Sequence, residues 1–333
     1  MRRMLIVAAV AACSAAAAAA QVADLVDRSA FRVCADPALT PLSAEDGSGF
    51  ENRIVELMAQ SLGVPVQYTW FPQVIGFVRQ TLGAGKCDVV IGYAQGDELV
   101  LNTNHYYTST HVLVTRADGD LATVDALSDP RLQGKRIGVV VGSPPATHVA
   151  RLGLMKHAKP YKMMVDRRVE SPPEEMLADV ESGEIDAAIL WGPIGGPLAG
   201  GRPALRATPL LKETESPRLV FRITMGVRAG EDVWKRELNS QIRRNQEAID
   251  AILRAAGVPI LDDFGKGPKP AGEPARAVFA RVRKGSKHSL IVQLVTLHDA
   301  SGEAPRLSRS AAVVAGGCRV RDSDAGGRRD SVV

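Results

Sequence analysis

Leu82-Gly83-Ala84-Gly85-Lys86-Cys87-Asp88-Val89-Val90-Ile91 decides how this chain is read, because Val180-Glu181-Ser182-Gly183-Glu184-Ile185-Asp186-Ala187-Ala188-Ile189 repeats its logic. In each stretch a helix stops at glycine, which adopts the left-handed backbone of a helix end without steric cost. An aspartate, read as a turn residue, then precedes an apolar strand. Val89-Val90-Ile91 is the continuous β-branched run expected of a strand covered on both faces. Upstream, Phe31-Arg32-Val33-Cys34-Ala35 is a strand ending at Asp36-Pro37. Ile54, Leu57, Met58 and Leu62 mark a helix closed by Gly63; Val64 to Trp70 is a strand, and Phe77, Val78 and Leu82 mark the next helix, closed by Gly83 and Gly85. Downstream of the first stretch, Arg136 to Val141 is a strand, Gly142 to Thr147 a loop opening a helix, and Glu174–Ser182 a helix. Strands alternating with helices imply right-handed crossovers and parallel sheets.

Two extended runs, Tyr106 to Val114 and Leu219 to Val227, suit passages from one such unit to the other and back. A helix from about Val233 to Ala256, with Leu238, Ile242, Ile249 and Ile252 roughly on one face, closes the body at Gly257-Val258-Pro259. The expected fold class is α/β in two lobes, each a mostly parallel sheet flanked by helices, joined by two crossing segments. Lobe 1 is assigned to 21–111 plus 221–262 and lobe 2 to 112–220. From Gly265 the pattern decays into scattered Gly, Pro, Arg, Ala and Ser, so 263–333 reads as a disordered or atypical extension.

The chain has 333 residues, 45% of them hydrophobic and 23% charged, the balance of a globular protein of about two domains. Its net charge of +4 is unevenly placed. Residues 265–333 carry 13 Lys/Arg against 6 Asp/Glu, whereas 21–264 carry 26 against 31. The body is mildly acidic, which argues against nucleic-acid binding. Residues 1–20 read as an export signal: Arg2-Arg3, an apolar stretch from Met4 to Ala12, then small residues to Ala20. Val10-Ala11-Ala12-Cys13 is a rival lipoprotein box with an unusually short signal. No other run is long enough to span a bilayer. Cys34 and Cys87 remain in the body, either as one disulfide, as an oxidising compartment favours, or as two buried thiols. On paired parallel strands their three-residue offset would hold them too far apart to bond.

Catalytic constellations are missing. Gly47-Ser48-Gly49 lacks the spacing of a nucleophile elbow. His105 and His111 have no third metal ligand, and no phosphate loop or dinucleotide fingerprint occurs. No cofactor and no metal are expected. In open parallel sheets ligands sit beyond the carboxyl ends of the strands. The loops there supply aromatic walls (Trp70, Phe71, Tyr93, Trp191) and polar groups (Asp36, Gln73, Gln95, Ser143, Thr147), a mixture typical of small-molecule sites. Ser143 before Pro144 also reads as a simple helix cap, and Trp191 as a buried strand-end anchor.

Arg32-Val33-Cys34-Ala35-Asp36-Pro37, Gly49-Phe50-Glu51-Asn52, Tyr68-Thr69-Trp70-Phe71-Pro72-Gln73, Gly76-Phe77-Val78-Arg79, Gly85 to Val90, Tyr106 to Thr110 and Asp186 to Pro193 together resemble one family. It is the quinoprotein dehydrogenase-associated branch of the type II periplasmic binding proteins, found beside methanol dehydrogenase. The resemblance covers about 31–262. It implies a periplasmic, non-enzymatic accessory of a pyrroloquinoline-quinone (PQQ)-dependent methanol or alcohol dehydrogenase, acting with that enzyme or its cytochrome c in assembly, activation or electron transfer. Amino-acid binders of this fold carry an Arg after the third strand and an Asp in the second lobe. Here Gly96-Asp97-Glu98-Leu99 offers no Arg and Trp191 stands near the Asp position, so an amino-acid ligand is not expected. Two arginines typical of the branch after Pro-Gln are replaced by Val74-Ile75, and the segment after Val141 is shortened. The alternatives are a substrate-binding protein delivering a small solute to an ABC permease and, for want of catalytic residues more remotely, an enzyme on the same fold.

Overall fold

A computed structural model describes residues 25–271 in full and, beyond them, the backbone of strands between 278 and 321. The expectations for residues 1–20 and Cys13 lie outside the described residues. The chain divides into two units, Met1–Lys269 and Pro270–Val333.

The first unit begins with β1 (Phe31–Ala35), a small pair β2 (Ala38–Leu39) and β3 (Ser43–Ala44), α1 (Phe50–Leu62), β4 (Val66–Trp70), α2 (Phe77–Gln80) and β5 (Val89–Ala94). β6 (Leu101–Asn102) and the long β7 (Tyr107–Arg116) follow. β1 runs parallel to β4, with Phe31 opposite Val66, and parallel to β5, with Val33 opposite Val89. Alternate residues face opposite sides, as strand geometry demands. Phe31, Val33, Val89 and Ile91 join the core covered by α1, while Cys34 and Val90 join a second cluster with Phe77, Val78 and Leu82. α1 buries Ile54, Val55 and Met58 and stops at Gly63, whose φ of 72° lets its N–H reach back to the last turn.

The second half repeats the plan with β8 (Ile137–Val140), α3 (Pro144–Arg151), β9 (Lys159–Tyr161), α4 (Pro172–Ser182), β10 (Ala187–Trp191), α5 (Gly192–Gly200) and β11 (Leu205–Pro209). β8 is parallel to both β10 and β9. Leu113, Ala187 and Ile189 face one cluster of this half; Val112, Val114, Ala188 and Leu190 face the other. β12 (Val220–Val227) returns the chain, and α6 (Asp232–Ala255) buries Trp234, Leu238, Ile242, Ile249 and Leu253 against the first half's core.

β7 and β12 are the two crossings, and they pair with each other antiparallel, Val220 opposite Thr110. The first residues of β7 pair with β12 and its remainder with β10 and β11. The hydrogen-bonded path therefore runs unbroken from β4 to β9 through the crossings, while the hydrophobic clusters divide into two per half.

The sequence echo has a structural counterpart. Asp88 N–H donates to Arg32 carbonyl and Asp186 N–H to Arg136 carbonyl, both at 2.8 Å. Arg32 Nη2 donates to Gly85 carbonyl at 2.9 Å, and Arg136 Nη2 to Gly183 carbonyl at 2.7 Å. Each arginine also pairs with its aspartate. Asp88 is thus more than a turn residue: it is buried and also holds Arg228 at 2.7 Å.

Cys34 and Cys87 are disulfide-bonded, with Cα atoms 5.5 Å apart. The separation expected from strand register does not arise because Cys87 precedes β5. Val90 occupies the position paired with Cys34, and the turn after Leu82 carries Cys87 back against it.

In the second unit, strands β13 (Val278–Lys284), β14 (Ser289–Thr296), β15 (Arg309–Val314) and β16 (Gly317–Arg321) pair antiparallel in that order.

Candidate functional site

Loops at the carboxyl ends of parallel strands from both halves meet around one cavity of about 430 Å³. Asp36, Pro37 and Ala38 follow β1; Pro72 and Val74 follow β4; Met164 to Arg168 follow β9. This is where an open parallel sheet presents its ligand-facing loops.

Asp36 organises the wall on the first half. It is buried, its Oδ1 accepting from Ala38 N–H at 2.9 Å and its Oδ2 from Gln73 N–H at 2.7 Å. Phe71 N–H donates to Ala35 carbonyl at 2.9 Å, so the loops after β1 and β4 are laced together. Beneath lies a space of about 10 Å³, shared by Asp36, Ser43, Glu51, Asn52, Tyr68 and Gln73, room for about one water. Glu51 is buried and its Oε1 has no hydrogen-bond partner. Burial penalises the anion and pushes the carboxyl up to about 8, so it is mostly protonated at neutral pH. Asn52 Nδ2 donates to the Tyr68 hydroxyl at 3.0 Å beside it.

From the second half comes Arg167, half-buried, its guanidinium making no hydrogen bond to a described residue. Burial draws its pKa below the usual arginine range, opposed by the charge of Asp36 across the cavity. Neighbouring Arg168 is occupied, bonding both oxygens of Asp166 at 2.9 and 2.7 Å.

Of the residues expected from sequence, Asp36 and Gln73 meet at this wall and the others stand elsewhere. Trp70 stacks on Tyr68 with centroids 4.3 Å apart. Phe71 packs with Phe77 near the disulfide. The Tyr93 hydroxyl donates to Asp97 at 2.7 Å. Gln95 lines a separate cavity of about 710 Å³ with Thr108, Arg218, Phe221, Arg222 and Lys266. Ser143 does not cap α3: its hydroxyl donates back to Val140 carbonyl at 2.7 Å. Thr147 is exposed. Trp191 ends β10 at the crossings, edge-on to His111 at 5.2 Å and Phe221 at 5.6 Å. Burial pushes His111 down to about 4, so the imidazole is neutral there. Among the described residues no group of three or more His, Cys, Asp or Glu side chains is gathered for a metal ion, and no helix is long and apolar enough to cross a membrane.

Sequence reading missed Arg167 and Glu51. Met163–Glu170 has no periodicity to place it, and an acid in the first turn of a helix ordinarily reads as a solvated partner of the helix dipole.

No family model matches the chain. It is 32% identical over 251 residues to protein MoxJ of Methylorubrum extorquens, covering 71% of this chain and 83% of that one. The crystal structure of periplasmic binding protein XoxJ from Methylobacterium extorquens AM1 superposes with a TM-score of 0.60 at 40% identity, covering 70% of this chain and all of that one. MxaJ from Methlophaga aminisulfidivorans shares the fold, with a TM-score of 0.60 at 24% identity, covering 69% of this chain and all of that one.

Proposed function

The chain belongs to the family of the protein MoxJ, and from that premise we propose that it serves a PQQ-dependent methanol or alcohol dehydrogenase by binding rather than by catalysis. It is a solute-binding-like accessory protein of the methanol dehydrogenase system, a periplasmic binding protein by kinship. Residues 1–20 are its proposed export signal, and 21–111 with 221–262 and 112–220 its proposed lobes. The partner is the dehydrogenase itself or its cytochrome c, met during assembly, activation or electron transfer.

The observation that supports protein contact is the apolar rim of the cleft. Val74 from the first half and Met164 from the second both line the cavity, yet are 41% and 54% exposed; the adjoining Ile75 and Met163 are 81% and 42% exposed. Exposed apolar groups around a groove mark surfaces that partners cover. The transport reading is not favoured. The loop where a receptor of this fold keeps its arginine is closed on itself, Asp97 accepting from the Tyr93 hydroxyl and from Leu99 N–H.

Tagged protein used as bait in periplasmic extract tests this. Recovery of a quinoprotein dehydrogenase or its cytochrome c, weakened at least tenfold by Val74→Asp with Met164→Asp, is the expected result. Absence of both proteins at low and moderate salt overturns it.

A further inference from the structure

Arg167 stands apart from the other charged groups of the cleft. Asp36 is buried and engaged by two backbone N–H groups, and Asp166 and Arg168 hold each other in a bidentate pair. Arg167 lines the same cavity and is partly withdrawn from solvent, but none of its five donors meets an acceptor among the described residues. A guanidinium that has lost part of its hydration and gained no hydrogen bond sits at a cost, which a planar acceptor recovers. The rest of the wall is Pro37, Ala38, Pro72, Val74, Met164 and Val165, apolar side chains and proline rings.

We propose that this cavity is a seat for a carboxylate carried on an apolar body, with Arg167 taking both carboxylate oxygens and the apolar wall taking the body. Such a fork-to-fork pair matches guanidinium geometry, which an amide or an alcohol cannot reproduce. The site inverts the charge arrangement of amino-acid receptors, with the cation in the second half and the buried anion in the first. Asp36 has both oxygens engaged by backbone N–H groups, which leaves Arg167 as the group free to take a carboxylate. The carboxylate has two sources of one chemistry, a free organic acid or the carboxyl terminus of a partner polypeptide. The proposal rests on the reading of the cleft as a binding site.

Titration calorimetry on the purified protein tests it with four probes: 3-phenylpropionate and its amide, and N-acetyl-Ala-Leu-Phe with a free or an amidated carboxyl terminus. At least one acid should bind ten times or more tightly than its amide, and whichever acid binds better identifies the source. Arg167→Gln should abolish that difference, Arg167→Lys should restore part of it, and Arg206→Gln, at an exposed position on β11 away from the cavity, should leave it intact. No binding by either acid, a difference that survives Arg167→Gln, or an equal loss in Arg206→Gln would each overturn the proposal. Co-purification with the Arg167→Gln protein separates the two readings. Dehydrogenase recovered without carboxylate selectivity leaves the accessory role standing, and selectivity without dehydrogenase overturns only that role.

Discussion

The carboxyl of Glu51 lies against the α-carbon of Gly92, in the space a side chain at position 92 would occupy. Gly92 has a φ of 74° and donates its N–H to the Tyr106 hydroxyl at 3.0 Å. Two independent constraints therefore require glycine here, a left-handed backbone and a close approach. Gly92→Ala should cost about 2–4 kcal/mol, combining backbone strain with overpacking. Urea unfolding measures it; a loss under about 0.5 kcal/mol would mean that α1 shifts to make room.

The raised carboxyl of Glu51 also makes stability depend on pH. Its folded value of about 8 exceeds the ~4.3 of a free glutamate. Between those two values the folded chain keeps a proton the unfolded chain has released. Stability therefore falls as pH rises through that window, by up to about 1.4 kcal/mol per unit. The loss is complete once Glu51 ionises in the folded state. Glu51→Gln should be more stable than the parent at pH 7 and should flatten the slope. Denaturation midpoints at pH 5, 6.5 and 8 would reveal it, and parallel curves for the two proteins would contradict it.

The disulfide links residues 53 apart and ties β1 to the turn before β5. Replacing both cysteines with alanine should cost about 2–4 kcal/mol, mainly by freeing the unfolded chain. Thermal unfolding with and without reductant should differ for the parent and coincide for the double variant. A parent indifferent to complete reduction would show that packing alone holds this corner.

Asp88 and Asp186 occupy matching places, but their burial predicts unequal costs. Asp88 is buried with Arg32 at 3.3 Å and Arg228 at 2.7 Å, so Asp88→Asn leaves two partly buried guanidinium groups with Glu231, 3.4 Å from Arg228, as the remaining carboxylate and should cost about 3 kcal/mol. Arg136, the partner of Asp186, is half in solvent, and Asp186→Asn should cost less than about 1 kcal/mol. Equal losses in chemical denaturation would refute this ranking.

The alternation of apolar strands with helices, and the two extended crossings, were legible because each depends on local periodicity; the glycine stop holds at α1 and α4, where Gly63 and Gly183 are left-handed caps, whereas α2 ends at Gln80, ahead of Gly83. A helix end needs its glycine within one turn, and a strand buried on both faces needs an unbroken apolar run, so residues close in sequence carry the signal. Asp36 and Gln73, joined at the wall of the proposed site, stand just beyond the ends of recognisable strands. The disulfide was legible only as a pair of cysteines, since its geometry turns on Cys87 lying before β5 rather than in it.

What lines the cleft was decided by tertiary structure. Arg167 comes from a loop without periodicity and reaches the Asp36 cavity from 131 positions along the chain. Glu51 became a buried, protonated acid only because Gly92, Tyr106 and Tyr107 close around it. Desolvation depends on every neighbour in space at once, and no stretch of sequence contains those neighbours together.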